Sequence, residues 1–358
     1  MIGHNLNFLF CIPNTYSIYA GRTIMNGYKN AILAMGHEFK FMTADEENQV
    51  FLLDNYKPDF IFISLNKYSL KFLDFNALKK AKKTGAIIFV NTPFWDSPIS
   101  KFRINETTNL KNDIDLNKFI KSGLGDIYYN MCEQGDLRMK GFEEATGYRC
   151  YTIPLAADDT VIYPEYSEKF EADISFIGTN LSDKRQAFNE MLFPLQKKYN
   201  LKLYGQDWTL VDKTLGWVQR GGQYFNFPYL KSFRKPKLRL EDERKVYNSS
   251  IISINIHEEY QRKFGGDCNE RTFKIPLAGG FEITDNVECI KKYFIEGQEI
   301  VIAKDKKDWF DKIDYYMKNP DKRDKTIEAG RMRVLRDHTY KNRVAQLINI
   351  AEGLRHCD

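Results

Sequence analysis

Short, unbroken apolar runs recur along the chain and alternate with stretches of helical spacing. Segments 7–13 (NFLFCIP), 59–65 (DFIFISL) and 86–93 (AIIFVNTP) are apolar at consecutive rather than alternate positions. That pattern belongs to parallel strands covered on both faces. Between the first two, Ile24, Tyr28, Ala31, Ile32 and Met35 fall at helical spacing, Gly36 is placed to end the helix, and EFKFMT follows as a strand. The β-α-β order predicts a doubly wound α/β fold.

Further on, 126–132 (DIYYNMC) and 150–158 (CYTIPLAAD) read as the last strands of a first domain, and the polar, proline-containing 163–173 as a linker. A second alternation then begins. It has strand 174–179 (ISFIGT), a helix from about Asp183 to Lys198, strand 201–205 (LKLYG), helix EDERKVYNSS, and strands 251–257 (IISINIH), 281–285 (FEITD) and 299–304 (EIVIAK). Helix KKDWFDKIDYYMKN follows, and Val344, Ile348 and Ala351 mark one stripe of a closing helix. The pattern predicts two α/β domains of similar size, 1–165 and 166–335, with 336–358 as the closing helix. No internal repeat or low-complexity segment interrupts it.

Composition narrows the class. The 358 residues are 43% hydrophobic and 28% charged, a globular balance. A net charge of +5 suits an anionic ligand but is too small for this length to indicate nucleic acid. No apolar run approaches the roughly 18 residues of a membrane span, and LNFLFCIP reads as a first strand rather than a signal core. Six scattered cysteines without a CxxC spacing point to reduced thiols, a cytoplasmic setting and no structural zinc.

Phosphate motifs are sparse. GxxxxGK[ST] is absent, GLGDIY (123–128) lacks a third glycine, and no HExxH or Ser/His/Asp order occurs. In ISFIGTNLSDKRQ a strand ends at Gly178 and Thr179, Ser182 or Asp183 is placed to cap a helix, and Lys184 and Arg185 fall in its first turn. These cations are either solvated surface charges or partners of an anion drawn by the helix end and the glycine. In SINIHEEYQRKFGGDCNERTFKIPLAGGFEITD a strand ends at His257, either a structural or a catalytic histidine. Asn269 is placed to cap the next helix, Pro276 keeps it short or opens it at Thr272, and Gly279-Gly280 ends it. A short helix at the C-terminal edge of a parallel strand is where open α/β sheets bind ligands. Trp95 and Asp96 follow a predicted strand directly, as a sugar or base platform and an acceptor base, or as a capped turn before Pro98. The basic 231–245, near Phe225, Phe227, Tyr229 and Phe233, is either a polyanion or DNA contact or a solvated loop.

Taken in order, ISFIGTNLSDKRQ, LYGQDW, SINIH, RTFKIPLAGGFEITD and the segment from GQEIVIAK to RVAQL resemble the glycosyltransferase group 1 C-terminal domain of spore maturation protein CgeB-like proteins, and more distantly glycosyltransferase family 4. AILAMGHEF and YTIPLAADDTVIYP match the pattern more loosely. The resemblance covers roughly 150–350. It implies a GT-B architecture: two Rossmann-like domains with parallel sheets facing across a cleft, and a C-terminal helix crossing back to the first. The donor would sit on the second domain and the acceptor on the first.

The resemblance implies donor-side roles for Gly178, Lys184, Arg185, Arg271, Thr272, Phe273, Gly279 and Gly280, and Thr179, Glu270 and Lys274 complete the expected donor-binding set. Asp96, His257 and Arg271 are the candidate catalytic residues, with Trp95 and Asp96 on the acceptor side. Catalysis would be metal-independent and retaining, without a cofactor, and positive side chains would neutralise the leaving diphosphate. A UDP-sugar is the expected donor. Where the family carries Glu, this chain has Lys274, which cannot accept a hydrogen bond from ribose. Glu270, one helical turn earlier, is the expected substitute, with Lys274 pairing to it or contacting phosphate. The implied activity is sugar transfer to a surface glycan, a protein or modified DNA. A nucleotide-sugar epimerase and a degenerate sugar- or nucleotide-binding protein are the alternatives.

Overall fold

The computed structural model describes residues 5–12, 20–43, 48–96, 110–225, 227–231, 234 and 237–355. Pro98 and Phe233 fall outside these residues.

Eleven strands form two wholly parallel sheets among the described residues. The first contains β1 (Asn7–Ile12), β2 (Glu38–Thr43), β3 (Phe60–Ser64), β4 (Ile87–Asn91), β5 (Ile127–Asn130) and β6 (Cys150–Thr152), ordered β2-β1-β3-β4-β5-β6. The second contains β7 (Ala172–Ile177), β8 (Leu201–Tyr204), β9 (Ser250–Asn255), β10 (Glu282–Asp285) and β11 (Val301–Ala303), ordered β11-β10-β9-β7-β8.

The registers explain why the first strands read as continuous apolar runs. Phe8 pairs with Phe60, and Phe62 with Phe89, so one face of the sheet carries an aromatic row. Phe62 stacks on Phe89 with centroids 4.6 Å apart and on Phe10 at 4.3 Å. The intervening residues Leu9, Ile61, Ile63, Ile88 and Val90 line the other face, with Leu78, Leu116 and Phe119 packed among them. Both faces are dry, so neither needs polar alternation. Helix Ala20–Ala34 covers the aromatic face through Tyr28, which lies on Phe10 and on Tyr340 of helix Tyr340–Arg355.

Residues up to Leu155 and from Tyr340 onward pack as one unit, and Ala156–Thr339 as another. The sequence reading set the division at 165 and the closing segment at 336. The Ala157 N–H bonds the His338 carbonyl, and Arg244 holds both the Val161 carbonyl and Glu165, so residues 156–165 are built into the second unit.

Helix 183–198 is not regular. A 3₁₀ turn (Ser182–Lys184), one α-turn, a π-turn (Phe188–Leu192) and a second 3₁₀ turn (Phe193–Lys197) succeed one another. Pro194, without an N–H, breaks the ladder there. Two long helices, Leu210–Tyr224 and Pro320–Asp337, carry patterns too polar or too inverted to predict. Among the described residues the cysteines are buried free thiols, and no helix is long and apolar enough to cross a membrane.

In the second sheet the chain goes from β7 outward to β8, then returns across β7 to β9 and continues the other way. The connections after β7 and β9 leave in opposite directions, which opens a crevice at the C-terminal ends of these strands. Helix Pro320–Asp337 braces this sheet from behind: a Cβ on Gly330 would overlap the Glu299 carbonyl oxygen and touch Pro276. Gly330→Ala should therefore lower thermal stability by about 2 kcal/mol, an overpacking cost that exceeds the gain in helix propensity. A melting temperature unchanged or raised would contradict this packing.

Candidate functional site

The crevice of the second unit is organised by one buried polar residue. Asn255 ends β9 with no exposed surface. Its Oδ1 accepts from Arg271 Nε (3.0 Å) and Asn269 Nδ2 (2.9 Å), and its Nδ2 donates to Thr272 Oγ1 (3.1 Å) and Glu282 Oε1 (2.9 Å). The amide is thereby saturated. Asn269 in turn accepts the Arg271 N–H through Oδ1, but the N-cap of helix Arg271–Leu277 is Glu270, one residue beyond the expected Asn269. Burial lifts the Glu282 carboxyl to about 8, so it is protonated at neutral pH.

His257 continues the network. Its Nδ1 lies 2.6 Å from Asp285 Oδ1, its backbone N–H also donates to Asp285, and Nε2 lies 3.3 Å from Thr272 Oγ1. Burial lowers the histidine pKa against the pull of Asp285, so the ring is neutral. Burial alone would raise Asp285, but the His257 contacts and Arg262 outweigh it and hold the carboxyl below its ordinary value. The assignment that satisfies each group has Nδ1–H donating to the carboxylate and Nε2 accepting from Thr272.

Two cations meet beside this network. Lys184 is 4% exposed, and its Nζ donates to the Ile256 carbonyl at 3.0 Å. Arg271 Nη2 donates to the same oxygen at 3.2 Å, and Nη1 to the Ile177 carbonyl at 3.0 Å. Among the described residues neither cation forms a salt bridge. Burial, reinforced by Arg271, lowers the Lys184 pKa to about 7. The two neighbouring basic side chains, held by backbone oxygens and by Asn255, form a positive centre without a salt-bridge partner, and a buried charge without a partner is destabilising. Gly178 makes the arrangement possible, because a side chain there would press on Arg271 Nη1 and the Phe176 ring.

The remaining sequence candidates disperse. Arg185 points to solvent while its neighbour Lys184 is inside, so the two do not act together. Neither Ser182 nor Asp183 caps the turn, and Thr179 lies half-buried beside Gly178. Thr272 is fully buried and serves His257 and Asn255. Phe273 packs on Tyr293, Phe294 and His338, a core position rather than a ligand-facing one.

Gly279 and Gly280 precede β10, so they lie at the N-terminal edge of the parallel sheet, opposite the crevice. They are needed there for close packing on Asn248 and the Tyr247 carbonyl, with Gly279 at φ +71°. Lys274 is buried between Glu270 Oε2 (3.2 Å) and Glu243 Oε2 (3.3 Å). Burial would lower its pKa, but the two carboxylates raise it, so it stays charged as an ion-pair centre. His257, expected to be catalytic, presents no free nitrogen and acts by positioning Thr272 and Asp285.

In the first unit, Trp95 is buried edge-on against Phe142 at 5.8 Å. Asp96 is exposed and pairs with Lys111 at 3.3 Å. Neither lines a cavity of about 490 Å³ in this unit, which runs along the C-terminal ends of its strands past Cys11, Ser64, Asn91 and Tyr129, with Arg22 and Lys29 at its wall. Sequence reading missed Asn255 and Asp285. The signal was present as an amide inside the apolar run SINIH and an aspartate ending FEITD.

Residues 185–349 match a protein-family model described as glycosyl transferase-like. No curated protein matches the chain in sequence. Among solved structures, an α-glucosyltransferase in complex with UDP-glucose and DNA containing an abasic site superposes with a TM-score of 0.67 at 11% identity, over 97% of this chain and 99% of that one. Sucrose-phosphate synthase from Thermosynechococcus elongatus superposes at 0.64 with 10% identity, over 99% and 100%. Anabaena Alr3699/HepE, in complex with UDP and glucose, gives 0.59 at 11%, over 98% and 100%. The fold is that of the GT-B glycosyltransferases, with two parallel-sheet Rossmann-like domains, and its C-terminal half carries a glycosyltransferase-like domain.

Proposed function

We propose that the protein transfers a sugar from a nucleotide-diphosphate sugar to an acceptor hydroxyl, with the diphosphate seated against Lys184 and Arg271. The observation that carries this reading is the pairing of buried Lys184 with half-buried Arg271, neither in a salt bridge among the described residues, at the switch point of the second sheet. A diphosphate supplies the missing charge, and the unused N–H groups of both side chains supply directed hydrogen bonds. As the bond from the anomeric carbon to the phosphate oxygen breaks, negative charge grows on the leaving diphosphate. The fixed cations stabilise it in a buried site where no metal is needed for that task.

UDP is the expected nucleotide, supported by the structurally similar proteins whose complexes contain it. The acceptor would occupy that cavity in the first unit, whose mixed apolar and basic wall suits a sugar or an anionic sugar. Retention of configuration is the expected outcome, read by NMR of the product anomer. Incubation with the donor alone separates the readings: slow nucleotide release fits a transferase, an altered sugar an epimerase.

Lys184→Met and Arg271→Met should each weaken UDP binding about tenfold or more, the worth of a charge-assisted hydrogen bond, as measured by calorimetry. Unchanged affinity in both variants would sink the assignment.

Binding should also move a proton. With Lys184 near 7 in the free protein, most molecules carry it neutral at pH 8, and the bound anion restores its charge. UDP binding at pH 8 should thus take up about one proton, seen as a dependence of the binding heat on buffer ionisation enthalpy and lost in Lys184→Met. Affinity should fall between pH 7 and 9; a flat profile counts against the role of this lysine.

The third expectation concerns ribose. Lys274 keeps Glu243 as a partner when Glu270 is changed, so Glu270→Gln should leave the melting temperature near wild type. If Glu270 accepts the ribose hydroxyls, UDP affinity falls about tenfold while inorganic diphosphate binds as before. Equal binding of UDP by both proteins removes Glu270 from the site.

A further inference from the structure

Helix Leu210–Tyr224 is built inside out. Its inward positions are Asp212, Gly216, Gln219 and Gly222, and its outward positions include Leu210, Val211, Trp217 and Val218. The inward side is specific. Arg234 reaches Asp212 at 2.6 Å and Asp207 at 2.7 Å, its guanidinium lies where a Cβ on Gly216 would point, and a Cβ on Gly222 would overlap Leu230. The helix therefore cannot roll to hide its apolar face without breaking a buried ion pair and two glycine contacts. Trp217 is 65% exposed, and the residues that follow the helix, Phe225, Phe227 and Tyr229, are exposed as well, Tyr229 at 93%.

The segment that forms the patch is predominantly basic, although the acidic run Glu241-Asp242-Glu243 follows it directly and Asp242 pairs with Arg239. Segment 210–239 carries seven Lys and Arg and a single acid, Asp212, which Arg234 already consumes. Arg220 and Lys237 are exposed beside it. Exposed tryptophan, tyrosine and phenylalanine with aliphatic residues and a basic surround are the composition of an interfacial helix that lies in an anionic bilayer surface. Leu210, Val211 and Val218 offer a nucleic acid nothing to stack on, which disfavours a single strand as occupant. Two copies of the chain joined through this face would bring like charges together, which disfavours a symmetric dimer.

We propose that helix Leu210–Tyr224 and the aromatic residues that follow it form a peripheral docking surface for an anionic lipid bilayer. The proposal is independent of the nucleotide chemistry.

The test is co-sedimentation of the full chain with vesicles of phosphatidylcholine alone or mixed with phosphatidylglycerol. The protein should pellet with the mixed vesicles only, and added salt should release it. Trp217→Glu combined with Val211→Glu should lower the partition coefficient about tenfold or more, with an unchanged melting temperature because both side chains are outside. Lys213→Glu with Arg220→Glu should lower it about fivefold per charge. Quenching of wild-type tryptophan fluorescence by brominated lipid gives a reading that requires no variant.

Absence of binding to the mixed vesicles, or binding unchanged in both variants, overturns the proposal. So does a concentration-dependent dimer in sedimentation that Trp217→Glu abolishes, or preferential binding of a single-stranded oligonucleotide through the same residues.

Discussion

Bringing two basic side chains together without a salt-bridge partner is costly, and this protein sets a buried lysine beside a half-buried arginine. Lys184 and Arg271 share the Ile256 carbonyl, and the rest of the second unit is arranged so that they can. Asn255 fixes the guanidinium from below, Gly178 leaves room for it, and the pair His257 and Asp285 holds Thr272, which in turn anchors Asn255. Each group is satisfied by the next, while neither Lys184 nor Arg271 has a salt-bridge partner among the described residues.

The two sheets handle burial differently. In the first, the side chains divide into an aromatic and an aliphatic face, and the core is a matter of shape and area. In the second, Ser253, Asn255, His257, Glu282, Thr284 and Asp285 are polar yet buried along β9 and β10, and hydrogen bonds replace much of the apolar contact. Such networks are sensitive to the loss of one member because the low dielectric magnifies every unpaired group.

The alternation of strands and helices was legible because a parallel sheet buried on both sides leaves an unmistakable apolar run, and β2 was read to the residue as EFKFMT. Helix 183–198 was read as regular because proline and π-turn distortions do not alter hydrophobic spacing. Helix Leu210–Tyr224 was missed because a pattern whose apolar side faces water does not signal a packed helix. At the site, Lys184 and Arg271 were singled out through the family resemblance, because local pattern alone left Lys184 equally readable as a surface charge. Phe273, Gly279 and Gly280 were misplaced for a geometric reason: Arg271–Leu277 runs from one edge of the sheet toward the other, so only its start is near the crevice. Asn255 was missed because its importance lies in four partners that are distant in sequence.

Helix Arg271–Leu277 is held along its length by unlike restraints. Arg271 is tied at its start, Lys274 sits between two carboxylates in its middle, and Pro276 meets Gly330 near its end. A strut fixed at so many points transmits little adjustment, so variation in ligand preference has few ways to arise through it. The loop 179–183, whose backbone is pinned to Gln206 through Asn180 but whose side chains are half-exposed or exposed, is the wall where substitution can reshape the crevice without unbuilding the sheet. Specificity within this fold would then drift on one side of the ligand while the other stays constant.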